Sequence, residues 1–594
     1  MRRLAEGLDR ARRDRSRTGK EEAIAGALAA IAADDDDPAL AIAARIATGR
    51  MLPVGDGRSL GVGWSSMLDV ARTATGHDDA ILSACARKTG ELAEAFALLL
   101  LGVEGATARP GLRLGELAEL ADRLAAAPGR ADKRALLDAA FARATPLEAK
   151  YLTKALGGGM RIGAQEGVVQ GAIARAFDVP PERLHQAAAL VTDLGDLAVM
   201  ARRGRLDEAR LVVGRPVAFM LATPIETIAT AIDPAAHAME DKIDGVRAQA
   251  HRTAGGEVTL FARGLDRVTE AFPEITEALR RVAGPFVLEG EIVAVGPEGR
   301  PRPFQSLQPR LKKTTPSPAD LAEARVALVA FDLLADEAGS LVALPWRERR
   351  ARLEAFAGAL GGGDGVVVHT ATPVPTEAPL QAALDGAFDA ARARGHEGLV
   401  LKRVDAPYDA GKRGQAWIKV KKANATLDVV IVAAEEGHGR RAGVLSDYTF
   451  AVWRGDDLVP VGKAYSGLTD DEIDRLTRQL EASTIEQRGG LRRVRPEIVL
   501  EVAFDGVQRS ARHAGGFALR FPRIARIRDD KQPGDADDVA AVEALFEAQV
   551  ASGHREQGAG GGARGRGRGA KAAGAKKSAS RKVKKQLSLF GDDD

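Results

Sequence analysis

Apolar positions in the first third of the chain recur with the spacing of amphipathic helices. Residues 91–99, ELAEAFALL, and 114–120, LGELAEL, repeat apolar side chains at intervals of three and four. Three consecutive glycines at 157–159 are expected to end one helix, and residues 165–177 predict the next. We therefore predict an all-α N-terminal domain over residues 1–210.

The pattern changes near Val217, where short strand-like segments begin to alternate with turns and helices. β-branched and aromatic residues mark strands, and helical periodicity returns between them. The strands are predicted at 257–262, 286–293 and 326–331, and the helices at 347–360 and 380–394. This mixture predicts one α+β domain over residues 215–423.

Two further regions complete the predicted multi-domain architecture. Residues 426–550 are β-rich, with strands near 428–432 and 497–502, and their size suits a small β-barrel such as an OB-fold. Residues 552–594 are rich in Gly, Ala, Lys and Arg, which predicts a disordered basic tail. Between residues 553 and 594, 11 Lys and Arg face 4 Asp and Glu, although the whole chain carries only +3. We therefore expect only the tail to attract nucleic acid through its overall positive charge.

The composition excludes several classes of protein. A chain of 594 residues, 45% hydrophobic and 28% charged, has a globular composition and is too long for one core. No apolar run approaches the ~20 residues that cross a bilayer, and the first residues lack the apolar segment of a secretory signal. The single cysteine, Cys85, excludes an internal disulfide framework and a four-cysteine zinc site. We expect a cytoplasmic protein with no membrane partner.

The stretch 239–247, MEDKIDGVR, carries the first candidate chemistry. It places Lys242 between carboxylates and follows it with Gly245 and Arg247. A lysine in such a setting is a candidate nucleophile for covalent catalysis. Because K-x-D-G is a short motif, a polar turn between two surface strands is an alternative.

Two predicted strands carry charged residues on one face. In 286–293, Glu289 and Glu291 share a face with apolar residues, so they need a metal or hydrogen-bond donors, unless the strand is a solvated edge. In 417–421, Trp417, Lys419 and Lys421 point the same way. The two lysines would repel each other unless an anion such as phosphate lies between them, or unless this strand is a solvated basic edge.

Three other segments have the composition of phosphate or metal sites. Glu397 stands at the start of an apolar strand, beside a glycine that permits close backbone approach. Residues 520–531, RFPRIARIRDDK, carry five Arg and Lys, which suggests phosphate recognition or a salt-bridged surface strand. The turn 159–163, GMRIG, presents Arg161 and backbone N–H groups to a phosphate, or is a plain helix–helix corner.

The order of these motifs is more specific than any one of them. The motifs are K-x-D-G-x-R at 242–247, R-G at 263–264, E-G-E at 289–291, F-D at 331–332, E-G-L-V at 397–400, W-x-K-x-K at 417–421 and R-F-P-R…R-D-D-K at 520–531. Together with LTKAL…RIG…E at 152–166 and DLGDLA at 193–198, the series resembles ATP-dependent DNA ligases of the archaeal and eukaryotic replicative type and their bacterial relatives. These are covalent nucleotidyltransferases, and the resemblance covers residues 1–535.

The resemblance implies a fold and a role for each matching residue. It implies a helical DNA-binding domain, an α+β nucleotidyltransferase domain (ATP-grasp-like, for adenylation) and an OB-fold domain. Lys242 would carry AMP. The ATP-binding residues would be Glu240 at the adenine amino group, Arg247 and Arg263 at the ribose and phosphates, Glu291 at the ribose, Phe331 stacked on adenine, Lys419 and Lys421 at the α-phosphate, and Arg523, Arg528 and Lys531 at the leaving pyrophosphate.

Metal and DNA contacts follow from the same resemblance. Glu291 and Glu397 would hold Mg²⁺ or Mn²⁺, with ATP as co-substrate, and Arg161 would contact DNA. The E-G-E sequence departs from the commoner Asp-x-Glu form. The metal role falls to Glu291 by register, and Glu289 stays an alternative.

The resemblance also implies partners. The substrate would be nicked duplex DNA, bound by a monomer. At the end of the tail, residues 586–590, QLSLF, resemble the peptide that bacterial proteins insert into the sliding clamp, with Gln586, Leu587, Leu589 and Phe590 as contacts; chance in a biased tail is the alternative.

Two other functions remain open from the sequence. One is an RNA-joining or capping nucleotidyltransferase, against which Glu240 and the helical domain argue. The other is a DNA-binding scaffold with an inactive nucleotide site, although every motif position holds a chemically competent residue.

Overall fold

The computed structural model describes most of the chain as two compact units. The described residues are 1–34, 36–225, 232–296, 302, 304–311, 313, 315–359, 365–376, 380–420, 425–437, 441, 443–510 and 512–553. The first unit contains the described parts of Met1–Pro224, Ala229–Leu380 and Val400–Lys419, and the second those of Ile225–Ile228, Gln381–Leu399 and Val420–Asp594. The predictions for Lys421 and for the peptide 586–590 lie outside the described residues.

The N-terminal part of the first unit is helical. Its helices bury one apolar side chain after another in a shared core that includes Leu8, Leu40 and Phe96. Side-chain caps set several helix starts, as where Thr145 and Glu148 form a capping box. The helices are α1 (Arg2–Arg13), α2 (Arg17–Ala32), α3 (Asp37–Ile46), α4 (Trp64–Thr75), α5 (Asp79–Thr89), α6 (Leu92–Leu101), α7 (Leu114–Ala126), α8 (Arg130–Arg143), α9 (Pro146–Leu156), α10 (Glu166–Ala176), α11 (Pro181–Leu190) and α12 (Leu194–Arg202).

Strands and helices alternate in the central part of the chain. They are β1 (Leu221–Ile225), β2 (His237–Lys242), β3 (Val246–Arg252), β4 (Val258–Ala262), α13 (Pro273–Arg280), β5 (Phe286–Ala294), α14 (Gln308–Leu311), α15 (Pro318–Glu323), β6 (Val326–Asp336), β7 (Gly339–Ser340), α16 (Trp346–Ala359), β8 (Val366–Val368), β9 (Ala371–Pro373), α17 (Leu380–Ala393), β10 (Gly398–Arg403) and β11 (Arg413–Val420).

Two sheets organise these strands. One runs in the order β4-β3-β5-β6-β7, and β8 pairs with β6 in parallel. The other runs in the order β1-β11-β10-β2-β9. The first sheet places the residues of β3 and β5 side by side, and the second places β2 beside β10.

The second unit is built mainly of β-strands. They are β12 (Ala425–Glu436), β13 (Leu445–Arg454), β14 (Asp457–Ala464), β15 (Thr484–Arg488), β16 (Leu491–Val494), β17 (Val499–Phe504), β18 (Gly506–Arg509), β19 (Phe517–Arg520) and β20 (Arg523–Ile527), with helices α18 (Asp470–Ala482) and α19 (Val539–Gly553). The larger sheet runs β14-β13-β12-β16-β15, while β17 pairs with both β12 and β20. β18 and β19 form a separate hairpin.

The predicted order of a helical, an α+β and a β-rich region is confirmed. The OB-fold, the tail and the domain limits stay predictions. No helix among the described residues is long and apolar enough to span a bilayer.

Candidate active site

Lys242 is the last residue of β2 and shares a face of that strand with Glu240. Residues two apart in a strand point to the same side. Glu240 is buried and Lys242 half-buried, so the shared face turns from the interior towards the surface at the lysine. Lys242 is therefore the end of a strand whose shared face is partly buried. Residues 243–245 form a short connection, as the alternative has it, but β2 and β3 on either side are inner strands of their sheets and not surface strands.

Glu240 forms a buried ion pair with a lysine from the neighbouring strand. The ammonium of Lys402, on β10, lies 2.7 Å from Oε2 of Glu240, and both side chains are almost completely buried. The same ammonium lies 4.4 Å from the ring centre of Phe331 and 4.5 Å from that of Trp417. Burial lowers the pKa of Lys402, while the charges of Glu240 and Asp332 oppose that shift.

The other oxygen of Glu240 accepts no hydrogen bond from the residues that the structure describes. This Oε1 atom lies at ion-pair distance, 3.9 Å, from Nη1 of Arg350, which likewise makes no hydrogen bond among those residues. The rest of the Arg350 guanidinium is held by Glu354 and by the carbonyl of His369. Because unpaired buried polar atoms are rare in proteins, an acceptor and a donor facing each other mark a place for a polar ligand.

β5 lies between β3 and β6, which corrects the alternative of a solvated acidic edge. Glu289 is fully buried there. Its carboxylate accepts hydrogen bonds from Arg247, with Nε at 2.8 Å, and from the hydroxyl of Tyr408. Burial and the charge of Glu289 raise the pKa of Tyr408 well above its usual value, so the phenol stays a donor. Glu291 lies opposite Arg247 in the sheet and is half-buried.

Arg247 is enclosed by aromatic rings. The ring centres of Phe219, Phe331 and Trp417 lie 5.2, 5.7 and 5.3 Å from its guanidinium carbon. Burial works against its charge, but Glu289, Tyr408 and Glu291 together outweigh this and raise the pKa of Arg247. The arginine predicted to grip ribose and phosphates is thus held from the protein side by Glu289.

A second buried ion pair supports the wall of this pocket. Asp332 follows Phe331 in β6, and its two oxygens each lie 2.9 Å from the guanidinium of Arg349. Both side chains are buried. This bidentate geometry fixes the strand segment that carries Phe331.

Two glycines allow the strands around the site to approach closely. A Cβ atom on Gly245 would lie 2.4 Å from the carbonyl oxygen of Ile292, and one on Gly290 would lie 2.6 Å from that of Val329. Any side chain at these positions would therefore push β5 away from its neighbours.

The strand of Trp417 and Lys419 is not an edge. β11 lies between β1 and β10, so the alternative of a solvated basic edge is wrong. Trp417 is buried and contacts Phe331 and Tyr408 edge-on, at ring-centre distances of 6.0 and 5.9 Å. Lys419 is half-buried on the same face.

Two predicted phosphate ligands lie on turns. Arg263 is exposed in the turn after β4, and Arg161 is exposed in the turn between α9 and α10. Arg161 has a φ of +48°, a conformation that non-glycine residues seldom adopt. The turn is a helix–helix corner in shape, and whether it contacts DNA stays a prediction.

The other predicted residues belong to the second unit. Arg528 and Lys531 are both ion-paired with Asp428, at 2.9 and 2.6 Å. Arg523 lies 3.8 Å from Asp505. The segment is thus a salt-bridged strand, the alternative weighed above. Glu397 stands immediately before β10, as predicted.

The carboxylates that the structure describes bear on the predicted Mg²⁺ site. No cluster of three or more potential metal-ligating side chains occurs in the part of the chain that the structure describes. The carboxylates of Glu289 and Asp332 are already committed to arginines. One or two carboxylate ligands are enough for an Mg²⁺ ion that arrives with a nucleotide, since phosphates and water supply its other ligands.

Sequence reasoning missed several residues that build the pocket. Asp332 stands inside the F-D motif and Lys402 two residues after the E-G-L-V motif, and the sequence assigns neither a role. Tyr408 is one of four tyrosines, and its aspartate-flanked setting gives no sign of its contact with Glu289. Arg349 and Arg350 lie in an arginine-rich helix that reads as a solvated surface. The sequence signal for these buried ion pairs was the presence of charged residues in otherwise apolar strands.

Three family models match consecutive parts of the chain and define its class. Residues 1–174 match the DNA ligase N terminus, residues 219–421 the ATP dependent DNA ligase domain, and residues 441–531 the ATP dependent DNA ligase C terminal region.

Curated relatives extend the similarity over nearly the whole chain. A probable DNA ligase of Koribacter versatilis is 40% identical over 86% of this chain and 91% of its own length. A DNA ligase of Methanopyrus kandleri is 37% identical over 92% of this chain and 98% of its own. The solved structure of Pmar-Lig_PreS3 has a similar fold, with a TM-score of 0.54 at 17% identity over 88% of this chain and 99% of that one. The chain belongs to the family of ATP-dependent DNA ligases. The family prediction is confirmed.

Proposed function

We propose that this ligase seals 5′-phosphate/3′-hydroxyl nicks in duplex DNA through AMP carried first on Lys242 and then on the DNA. The observation that carries the proposal is the placement of Lys242 on the same face of β2 as Glu240. Oε1 of Glu240 lies 3.9 Å from Nη1 of Arg350, and neither atom has a hydrogen bond within the described part of the chain. A nucleophile beside a pair of unsatisfied recognition atoms fits a covalent nucleotide carrier.

The unsatisfied atoms favour adenine as the base. Adenine presents an amino donor next to a ring-nitrogen acceptor, which match the acceptor Glu240 and the donor Arg350. Guanine presents the opposite order and would face both groups with like partners. This argues for ATP and against a GTP-using capping enzyme. Phe331 is proposed to stack on the base.

Three steps account for the chemistry. The Lys242 amine attacks the α-phosphorus of ATP, the bond to the bridging oxygen breaks, and pyrophosphate leaves. A 5′-phosphate oxygen of the nick then attacks the AMP phosphorus, and the phosphorus–nitrogen bond breaks. Finally the 3′-hydroxyl attacks the activated 5′-phosphorus and AMP leaves.

Other side chains would bind the phosphates. Arg247, Arg263 and Glu291 are proposed to contact the ribose and phosphates, and Lys419 and Lys421 the α-phosphate. Arg523, Arg528 and Lys531 would orient pyrophosphate, which requires them to exchange their present carboxylate partners for phosphate. Glu291 and Glu397 would hold Mg²⁺, which supplies neutralising charge when bound.

The DNA and protein partners are part of the proposal. The helical domain would bind nicked duplex DNA, with Arg161 at a phosphate, and the basic tail would add salt-sensitive affinity. Residues 586–590 would bind a sliding clamp. Deletion of 586–594 should abolish capture by the clamp while sealing without clamp is retained; unchanged capture would contradict that role.

The test is incubation with α-labelled ATP and Mg²⁺, followed by nicked DNA. Wild type and the control Lys412→Ala, which alters an exposed lysine of the same domain, should take up label and pass it to DNA. Lys242→Ala should take up none. An unlabelled wild type would overturn the proposal and favour the scaffold. Label acquired equally from GTP, or joining of RNA alone, would favour the RNA enzymes. Label acquired in excess chelator would contradict the metal role.

A further inference from the structure

The segment that joins the helical region to β1 lies along one face of β3. We call residues 214–220 the strap. The backbone N–H of Val217 donates to Oε1 of Gln249 at 3.1 Å, and Nε2 of Gln249 donates to the Val217 carbonyl at 3.0 Å. Three residues earlier, the N–H of Gly214 donates to Nδ1 of His251 at 3.1 Å. The strap is therefore tied to β3 by side chains at alternate positions, which share one face.

The same face connects the strap to the nucleotide pocket. Arg247 lies two residues before Gln249 and shares the face of β3 with Gln249 and His251. Its guanidinium carbon is 5.2 Å from the ring centre of Phe219. The N–H of Met220 donates at 2.9 Å to the hydroxyl of Tyr408, which in turn donates to Glu289. Both ends of the Arg247–Glu289–Tyr408 group thus touch the strap.

The strap is also bonded to the helical region. The hydroxyl of Thr192 donates to the carbonyl of Pro216 at 2.8 Å. The N–H of Ala218 donates to the carbonyl of Ala189 at 3.0 Å. Thr192 and Ala189 flank the end of α11, so the strap is attached to both domains over three consecutive residues.

The attachment to β3 is buried and specific. Gln249 and His251 are both fully buried. Burial lowers the pKa of His251 to about 3, so the ring is neutral and can accept from Gly214. A side chain that cannot hydrogen-bond at position 249 would leave the N–H and the carbonyl of Val217 unpaired in the interior, which is costly.

We propose that Gln249 is a positioning residue that sets the helical domain for the DNA-dependent steps by holding the strap against β3. This rests on the proposed function, in which the helical domain brings the nick to Lys242. Attack of Lys242 on ATP needs the nucleotide-binding residues and the side chains proposed to orient pyrophosphate, but neither DNA nor the helical domain. Transfer of AMP to the 5′-phosphate and sealing also need the DNA at a defined place, and small misplacements slow such steps strongly.

The test separates these steps in the full-length chain. Gln249→Met keeps the side-chain volume but removes both hydrogen bonds to Val217. Thr192→Val releases the strap from the helical side. Thr276→Val, which removes a buried hydroxyl of α13 that bonds only within its own helix region, is the matched control. Each variant is assayed for labelling by ATP without DNA, and then, after adenylation, for single-turnover sealing.

Gln249→Met and Thr192→Val should label at a rate within about twofold of wild type and seal about tenfold more slowly. The double variant should seal no more slowly than the slower single variant, because the strap is already released. Thr276→Val should do both at wild-type rates. The inference is overturned if the labelling rate and the sealing rate fall by the same factor. It is also overturned if the sealing rate of the double variant falls by the product of the two single-variant factors. Should Gln249→Met not fold, Thr192→Val alone decides the question by the same split.

The outcome distinguishes the inference from the proposed function. If wild type acquires no label, the lysine-adenylate proposal fails. If wild type labels and seals and the strap variants match it, only the positioning role fails.

Discussion

Lys402 and Glu240 form an ion pair of 2.7 Å with hardly any solvent contact, at the centre of the pocket beside Lys242. Two aromatic rings enclose the ammonium of Lys402. Removal of either charge would leave the other buried without the opposite charge of its pair. Breaking such a pair costs about 3–5 kcal/mol, because a buried charge loses its partner.

Lys402→Met is expected to destabilise the first unit by about 3 kcal/mol or more and to raise the KM for ATP in labelling of Lys242. Denaturant unfolding and labelling rates measure the two effects. Lys463→Met is the control, since its pair with Glu435 has a similar distance of 2.6 Å but is exposed. That substitution should change stability by about 1 kcal/mol or less. Equal effects of the two would contradict the importance of burial.

Gly245→Ala is expected to lower stability by about 1–3 kcal/mol and to slow labelling, since the new methyl group overlaps the Ile292 carbonyl. The clash displaces β5, which carries Glu289 and Glu291. Gly386→Ala in α17 meets nothing within 4 Å and should stabilise by about 0.5–1 kcal/mol. Thermal unfolding of both variants gives the comparison. A Gly245→Ala enzyme with normal stability and labelling would show that the strands can separate freely.

Asp428→Asn should lower the ATP concentration that gives half-maximal labelling. Asp428 now holds Arg528 and Lys531, and a neutral amide would compete less with the phosphates of ATP for these cations. Steady-state labelling against ATP concentration measures this. Glu435→Gln, at an ion pair elsewhere in the same unit, serves as the control. An unchanged or raised KM would show that the pairs do not restrain the two side chains.

The stability of the first unit is expected to fall below pH 6.5 because of His251. Its pKa is about 3 when folded, against an ordinary value of 6.5, so the unfolded chain binds the proton first. The contribution is complete above pH 6.5 and is lost as the pH falls towards 3. At pH 5.5 the loss is about 1.4 kcal/mol. The difference in unfolding free energy between pH 7.5 and 5.5 should shrink by that amount in His251→Gln, and an identical pH dependence in both proteins would refute it.

The sequence predicted the order of the regions and seven of the twenty strands that the structure describes, because apolar periodicity follows directly from which face is buried. The predicted helix 347–360 is α16, displaced by one residue at each end. The strand predicted at 497–502 spans Val499–Phe504, two residues later at each end, although the carbonyl of Ile498 already accepts from the N–H of Ile431 on β12.

The pocket could be predicted only in part. Lys242, Glu240 and Glu291 are candidates because they stand in short local motifs that resemble those of the family, and their roles stay predictions. The partners of Glu289 do not, because Arg247 is 42 residues away and Tyr408 is 119 residues away. Pairings over such separations depend on strand order, and no periodicity in the sequence records it. The Glu397 and Lys421 roles depend on the same kind of information.

Trp417 gives the pocket its own optical signal. Its indole touches Phe331, Tyr408 and the ammonium of Lys402, whereas Trp64 is exposed at the other end of the sequence. Indole emission depends on the charges and polarity around the ring. A Trp64→Phe/Trp453→Phe enzyme keeps only Trp346 and Trp417, whose ring centres lie 6.0 and 4.5 Å from the Lys402 ammonium. Its emission therefore reports, without any attached dye, when a ligand changes the surroundings of Lys402.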